Sequence, residues 1–489
     1  FAAALSSLNF GWCLGEPNIP EYTIKDCVEG SKVYVNGFPT CLPMSSTLWG
    51  LVVGMVALGA LVGSLVAGRA ADRFGRKTIL LVNNTFFIAG ALLISTSTTV
   101  VQMAVGRFVS GIGCGVSSTV VATYNSECAS PKVRGLAGSV LQLSVEMGIF
   151  FSQLVAIFLA DALHWRIPFG LSAAISIVQL LWLPFMPESP RFLASRGRLV
   201  EASSALRFLR PGCNISRELE LMVCAKNDIN AGPIPANEAV FKPDLIDGCK
   251  TTVEHEKLDI ASVRSAPANP TPNIGLIDIV RGRTPDVIWH PLFCTMFLMG
   301  FQQWSGTKGI VFYSTDIMVK VFHLSHSQIQ HTPNSAQWVT IGLAGTGIAG
   351  VIGGMNLIDR LGRRRLLIIS TSGMAISCML VVIGCVFEVS VLAVFSLFSF
   401  KVLYCLGMAP IPWLSASELL PYYTLGTLSG IASALNWAMI FVIGLLFPVL
   451  SKSLVNYLFL PFACFNAIAF IVVLLFVPET KGRHISDIL

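Results

Sequence analysis

The stretch Gly68-Arg69-Ala70-Ala71-Asp72-Arg73-Phe74-Gly75-Arg76-Lys77 separates two long apolar runs. Four cations and one carboxylate in so short a connection cannot lie in hydrocarbon, so the stretch reads as a tight polar hairpin between two membrane helices. A second copy stands far downstream, Asn356-Leu357-Ile358-Asp359-Arg360-Leu361-Gly362-Arg363-Arg364-Arg365, again flanked by apolar runs. A D-R-x-G-R-[KR] core repeated in equivalent surroundings points to two homologous halves carrying the same loop in the same place.

Composition agrees. Of the 489 residues 54% are hydrophobic and only 12% charged, and the mean hydropathy of +0.70 excludes an ordinary soluble globular chain. Crossing a bilayer takes about 20 apolar residues in a helix, and twelve such candidates can be marked. The first looks clipped, with no initiator Met and no cleavable signal peptide, so trimmed termini are expected. A net charge of +6 would suggest nucleic acid in a soluble protein. Here the membrane accounts for it, because the cations gather in the short loops of one side. The thirteen Cys are scattered, mostly inside apolar runs. Cys27 and Cys41 lie instead in the polar segment after the first run and could form a disulfide if that side is oxidising.

The expected spans fall near 1–14, 47–67, 78–97, 100–124, 136–160 and 167–186, and then near 289–313, 336–358, 366–387, 391–414, 425–450 and 454–477. The first half covers 1–191, a polar linker 192–287, the second half 288–477 and a tail 478–489. The linker opens with apolar residues at helical spacing over 199–209. From 227 to 273 it lacks periodicity, is rich in Pro, Asn and Asp, and reads as disordered. The positive-inside rule places the basic loops, both termini and the linker in the cytosol, with the plasma membrane as the expected location.

Two six-span halves, twin D-R-x-G-R loops and a central linker resemble the major facilitator superfamily. Further motifs are Pro187–Leu193 (PESPRFL), Gln302-Gln303-Trp304-Ser305-Gly306, Pro410-Ile411-Pro412-Trp413, Pro478–Arg483 (PETKGR), Gly106-Arg107-Phe108 and Arg134-Gly135. Together these are similar to the sugar porter family, which includes the animal facilitative hexose transporters. The resemblance implies an all-α membrane fold of twelve helices in two pseudo-symmetric six-helix bundles. It also implies alternating-access transport of a sugar-like solute, with no enzyme activity and no cofactor.

By the same resemblance, charged groups latch the cytosolic ends of the halves together. Asp72 and Asp359 would meet cations such as Arg134, while Glu127 and Glu188 would meet Arg69, Arg73 or Arg363. Arg107, Arg191, Glu418 and Glu479 are further expected members. The plainer reading of PESPR and PETKG is helix ends, since Pro stops helices and Glu favours their N-termini.

A carrier for an uncharged polar solute needs donors and acceptors at mid-membrane, and amides supply both without a charge to desolvate. The spans offer Gln142, Gln153, Gln302, Gln303 and Asn436, with Trp413 and Trp437 as flat surfaces for a pyranose. By resemblance Gln142, Gln302, Gln303, Trp413 and Asn436 fall on sugar-contacting positions. Lys308 stands where the family usually has Asn, Gly347 where it has Asn, Cys405 where it has Glu, and Ile440 at a polar position. Glu146 follows Gln142 by one helical turn on the same face, so a Glu146–Lys308 pair across the cavity is expected, against the alternative that Lys308 snorkels outward. Such a pair could replace part of the sugar, tune the carrier for an anion, or handle a proton. Proton-driven members usually carry Asp just after Phe-Gly-Tyr in the first span; here the residues are Asn9-Phe10-Gly11-Trp12-Cys13, which favours uniport. The rival from another class is a non-transporting sugar sensor that kept the fold.

No phosphate-binding loop, zinc-type Cys spacing or nucleophile–base constellation is present. His323, His326 and His331 cluster in one loop and read as solvated rather than metal-binding.

Overall fold

The computed structural model describes residues 2–27, 34–35, 37–129, 134–159, 161, 164–212, 215–216, 218–219, 222, 289–322, 335–420 and 425–479, without the side chains of 2, 35, 134–137, 359, 417–418 and 425–427. The expectations for 227–273, for the three histidines, and for the side chains of Arg134, Asp359 and Glu418 lie outside the described residues.

In the first half the spans are Ala2–Gly15, Ser46–Phe74, Arg76–Ser95, Val100–Cys128, Arg134–Leu159 and Arg166–Trp182. In the second half span seven comes in two pieces, Trp289–Trp304 and Thr307–Val321. Spans eight and nine are Ser335–Leu361 and Arg363–Val386. Span ten, Ser390–Leu403, runs through a π-helical turn, Tyr404–Met408, into Ile411–Leu419. Spans eleven and twelve are Leu425–Ser453 and Leu460–Phe476. Ten of these are long and apolar enough to cross a membrane as single helices. The other two are span one, with 14 described residues, and span seven, which breaks at Ser305 and Gly306. That break corrects the expected end of span seven: the helix resumes and reaches Val321.

The repeated loop has one physical design in both halves. Gly75 (φ 96°) and Gly362 (φ 87°) turn the chain in a conformation that side-chain-bearing residues rarely adopt. The helix restarting after each glycine has free N–H groups, and a carboxylate from the end of the same half meets them. Glu188 accepts from the backbone N–H of Arg76 (3.0 Å) and Lys77 (3.1 Å). Glu479 accepts from Arg363 (2.9 Å) and Arg364 (3.2 Å). A Cβ on either glycine would come within 2.5 Å of that carboxylate. The glutamates of PESPR and PETKG therefore cap helices, but helices remote in sequence from their own.

Around the first loop Arg76 bridges Asp72 (2.9 Å) and Glu127 (3.0 Å), and Arg196 donates to the Asp72 and Arg73 carbonyls. Arg196 follows a short helix, Pro190–Ser195, which packs with Leu199–Leu209, the expected amphipathic segment.

The halves meet along two seams, span two against span eleven and span five against span eight, an exchange of equivalent partners that two-fold symmetry requires. Small residues permit it: a Cβ on Gly50 would lie 3.1 Å from Pro448, and one on Gly345 3.5 Å from Phe150. Midway, Trp437 is fully buried. Its indole N–H donates to Ser118 of span four (3.1 Å) and its ring lies 5.1 Å from that of Phe10. Trp437 is thus an inter-half packing residue rather than the expected solute platform.

At the face opposite the basic loops, the segment after span one docks on span seven. Asn18 donates to the Val311 carbonyl and Ser314, and Tyr22 donates to Asp316 (2.8 Å). The segment contains the short helix Glu21–Lys25 and the disulfide Cys27–Cys41, whose loop holds a two-residue strand pair, Tyr34–Val35 with Phe38–Pro39. Burial pushes the Glu21 carboxyl from its ordinary 4.5 up to about 7; Lys25 opposes this, and Asp316 and Asp26 add to it.

A raised carboxyl pKa in the docked state means stability that is complete at low pH and disappears as pH rises through 7. Thermal unfolding of the purified protein between about pH 5 and about pH 8 should therefore show a loss on the order of 3 kcal/mol that Glu21→Gln removes. Parallel pH profiles for the two proteins would contradict the assignment.

Candidate functional site

The break in span seven exposes backbone and amides to the middle of the molecule. Pro412 has no N–H to offer the carbonyl of Met408 four residues back, and Gln302 takes that place: its Nε2 donates to Met408 (2.9 Å) and Ala409 (3.0 Å). Gln302 Oε1 accepts from Gln303 (3.0 Å) and from Asn436 (2.8 Å). Gln303 also donates to Asn436 Oδ1 (3.1 Å), and Asn436 donates to the Met299 carbonyl (2.7 Å). Three amides on spans seven and eleven are thus locked in one orientation, and Gln303 Oε1 remains a buried acceptor with no donor among the described residues. Trp413 is half-buried beside Met299, Ala416 and Ala432. Gln153 is buried in span five, with its own Oε1 also unmatched.

Across the centre, Gln142 donates to Glu146 Oε1 (3.1 Å). The direct partner of Glu146 is Lys401 of span ten, whose Nζ lies 3.0 Å from Oε1 and 2.9 Å from Oε2. Both side chains are almost fully buried. This corrects the expected Glu146–Lys308 pair. Lys308 is the second residue of the second piece of span seven, and its ammonium reaches the pair electrostatically without forming an ion-pair contact among the described residues.

Glu146 lies twelve residues into span five and Lys401 eleven into span ten, so each is roughly 16–18 Å from its span's start, close to the bilayer midplane. The unusual neighbours now have a cause. A Cβ at Gly347 would fall 2.6 Å from Glu146 Oε2 and 2.7 Å from Lys401 Cε. The Cys405 thiol lies 3.7 Å from Glu146 Oε1. Larger side chains at either position would occupy the space the ion pair fills.

Lys401 was the residue sequence reasoning missed. The signal was available: Lys401 is a lone cation inside an apolar run, whereas Lys308 drew notice through its place in the family pattern.

The charged loop residues separate into two levels. Glu127 and Glu188 find Arg76 and backbone N–H groups rather than Arg69, Arg73 or Arg363. Arg69 and Arg73 are exposed and Arg191 is half-buried. Arg107 does not join this level. It is wholly buried, pairs with Glu16 (2.7 Å) and donates to the Cys13 carbonyl (2.7 Å). It lies twenty residues before Glu127 on one helix, about 30 Å away along the axis, near the opposite face.

Twelve spans in two bundles, paired seams and a broken span seven at a buried polar centre define a transporter of the major facilitator fold. The sequence profile described as "Sugar (and other) transporter" matches residues 1–232 and 268–488. The chain belongs to that family. It is 30% identical to a facilitated glucose transporter homolog of Caenorhabditis elegans, covering 99% of this chain and 87% of that one. It is 29% identical to solute carrier family 2, facilitated glucose transporter member 5, of Equus caballus, covering 100% and 89%. Among solved structures, the proton:xylose symporter XylE bound to 6-bromo-6-deoxy-D-glucose superposes with a TM-score of 0.76 at 20% identity, over 99% of this chain and 96% of that one.

The buried pair makes a sharp energetic statement. Lys401→Met strands a carboxylate in the core and should cost on the order of 3–5 kcal/mol. Combining it with Glu146→Gln should recover most of that loss, read as the unfolding midpoint of purified protein. A double variant no more stable than Lys401→Met would show that the two charges are not coupled.

Proposed function

We propose that the protein is an alternating-access carrier that moves a hexose or related polar solute downhill, as a uniporter. The reading places it in the plasma membrane with the basic loops, both termini and the 192–287 linker in the cytosol. The supporting observation is the locked amide group Gln302–Gln303–Asn436 at the break of span seven, with the Gln303 Oε1 acceptor left for a hydroxyl. Gln142 of the other half is buried and turned to Glu146, and half-buried Trp413 offers an apolar surface.

Uniport is favoured by how the buried acids are used. Glu16 and Glu146 are tied to Arg107 and Lys401. Cys13, which follows Phe10-Gly11-Trp12 at the position where proton-driven relatives usually carry Asp, lies 3.7 Å from the Ser172 hydroxyl of span six. In the cycle, the basic-loop clusters around Arg76, Asp72, Glu127 and Glu188, and around Arg363 and Glu479, brace each half as it rocks. Closure at the opposite face uses the Asn18 and Tyr22 contacts with span seven.

Sealed vesicles containing only this protein should equilibrate a labelled polar solute without concentrating it when a pH gradient is imposed. Gln303→Ala should lower uptake efficiency by about tenfold, the value of a hydrogen bond near 1.4 kcal/mol. Accumulation driven by the gradient would establish symport, and no flux for any of a panel of hexoses, inositols and organic anions would favour the sensor.

A further inference from the structure

The charges at the centre do not balance. One carboxylate, Glu146, faces two ammonium groups, Lys401 and Lys308, within mutual electrostatic reach. Lys401 is matched to the carboxylate; Lys308 is not. Lys308 is 8% exposed, and among the described residues its ammonium makes no hydrogen bond or ion pair. The Arg107–Glu16 pair, nearer the face opposite the basic loops, is neutral as a unit and adds nothing to the excess.

The position of Lys308 sharpens the point. It sits in the first turn of Thr307–Val321, a helix of 15 residues. Unpaired N–H groups and the helix dipole there disfavour a cation and favour an anion. A buried ammonium at that place is therefore unfavourable twice over unless something negative accompanies it.

Among the described residues Gln303 Oε1 is a buried acceptor with no hydrogen-bond donor, whereas both carboxylate oxygens of Glu146 lie within 3.0 Å of Lys401 Nζ. The unmet needs are thus one anion and one hydroxyl donor. We propose that Lys308 binds the carboxylate of the solute, so that the cargo is a hydroxylated monocarboxylate of hexose size, a hexuronate or an aldonate. A single excess positive charge matches a monoanion; a sugar phosphate, nearer two negative charges at neutral pH, would leave the site overcharged. The Glu146–Lys401 pair, made possible by Gly347, fills part of the space a neutral hexose would use.

This deepens the carrier reading and rests on it, so the test separates binding from movement. Binding of D-glucuronate, its neutral methyl ester and D-glucose to the purified full chain is measured by calorimetry. Glucuronate should bind at least about tenfold more tightly than the ester or glucose, as a charge-assisted contact replaces a neutral one. K308Q should abolish the difference while K308R retains it. Equal binding of glucuronate and its ester by the unaltered protein overturns the proposal, as does a preference that survives K308Q. Uptake of labelled glucuronate into vesicles is then followed. Lysine-dependent binding without uptake supports the assignment of Lys308 and refutes the carrier.

Discussion

A carboxylate and an ammonium at the middle of a membrane are tolerable only together, because either alone would lie far from water with no counter-charge. Glu146 comes from the first half and Lys401 from the second, so that requirement becomes a constraint on how the halves meet. It explains why span eight has no side chain at Gly347 and why Cys405, small and weakly polar, lies against the pair. It also fixes Gln142, whose amide is turned toward Glu146. Much of what makes this centre depart from the residues usual in the family follows from that single contact.

The ends of the spans obey a different rule. Each half must turn a tight corner where two helices meet at the basic face, and each uses a glycine with positive φ, free N–H groups and a carboxylate brought from its own end. The carboxylate neutralises helix-end polarity and the adjacent cations together. These contacts lie inside each half, so they stiffen the bodies that move. Apart from the Glu146–Lys401 pair, contacts between halves include close helix packing and single hydrogen bonds such as Trp437 with Ser118, which can be exchanged at modest cost.

The sequence displayed the two halves openly, because apolar runs of membrane length and a twice-written charged loop survive without any knowledge of contacts. The amides of span seven were legible too, since the motif around Gln302 and Gln303 has a fixed place in the chain. Partner identities were not. Glu188 meets backbone atoms more than a hundred positions away, and no side-chain pattern marks a backbone N–H as a destination. Arg107 was assigned to the wrong level although its height was readable: it lies seven residues after the start of span four, at the end remote from Glu127. Glu146 was recognised as needing a cation, but two were within the second half, and only packing decides that Lys401 reaches it while Lys308 stops short.

The account depends on two rigid halves changing their mutual tilt about this centre. The most direct measurement is the distance between spectroscopic labels at Val101 and Val391, which begin spans four and ten at the same face and are 71% and 80% exposed. Rocking halves predict two distance populations in vesicles, with their ratio shifted by a bound solute. A single distance that no solute alters would contradict the account.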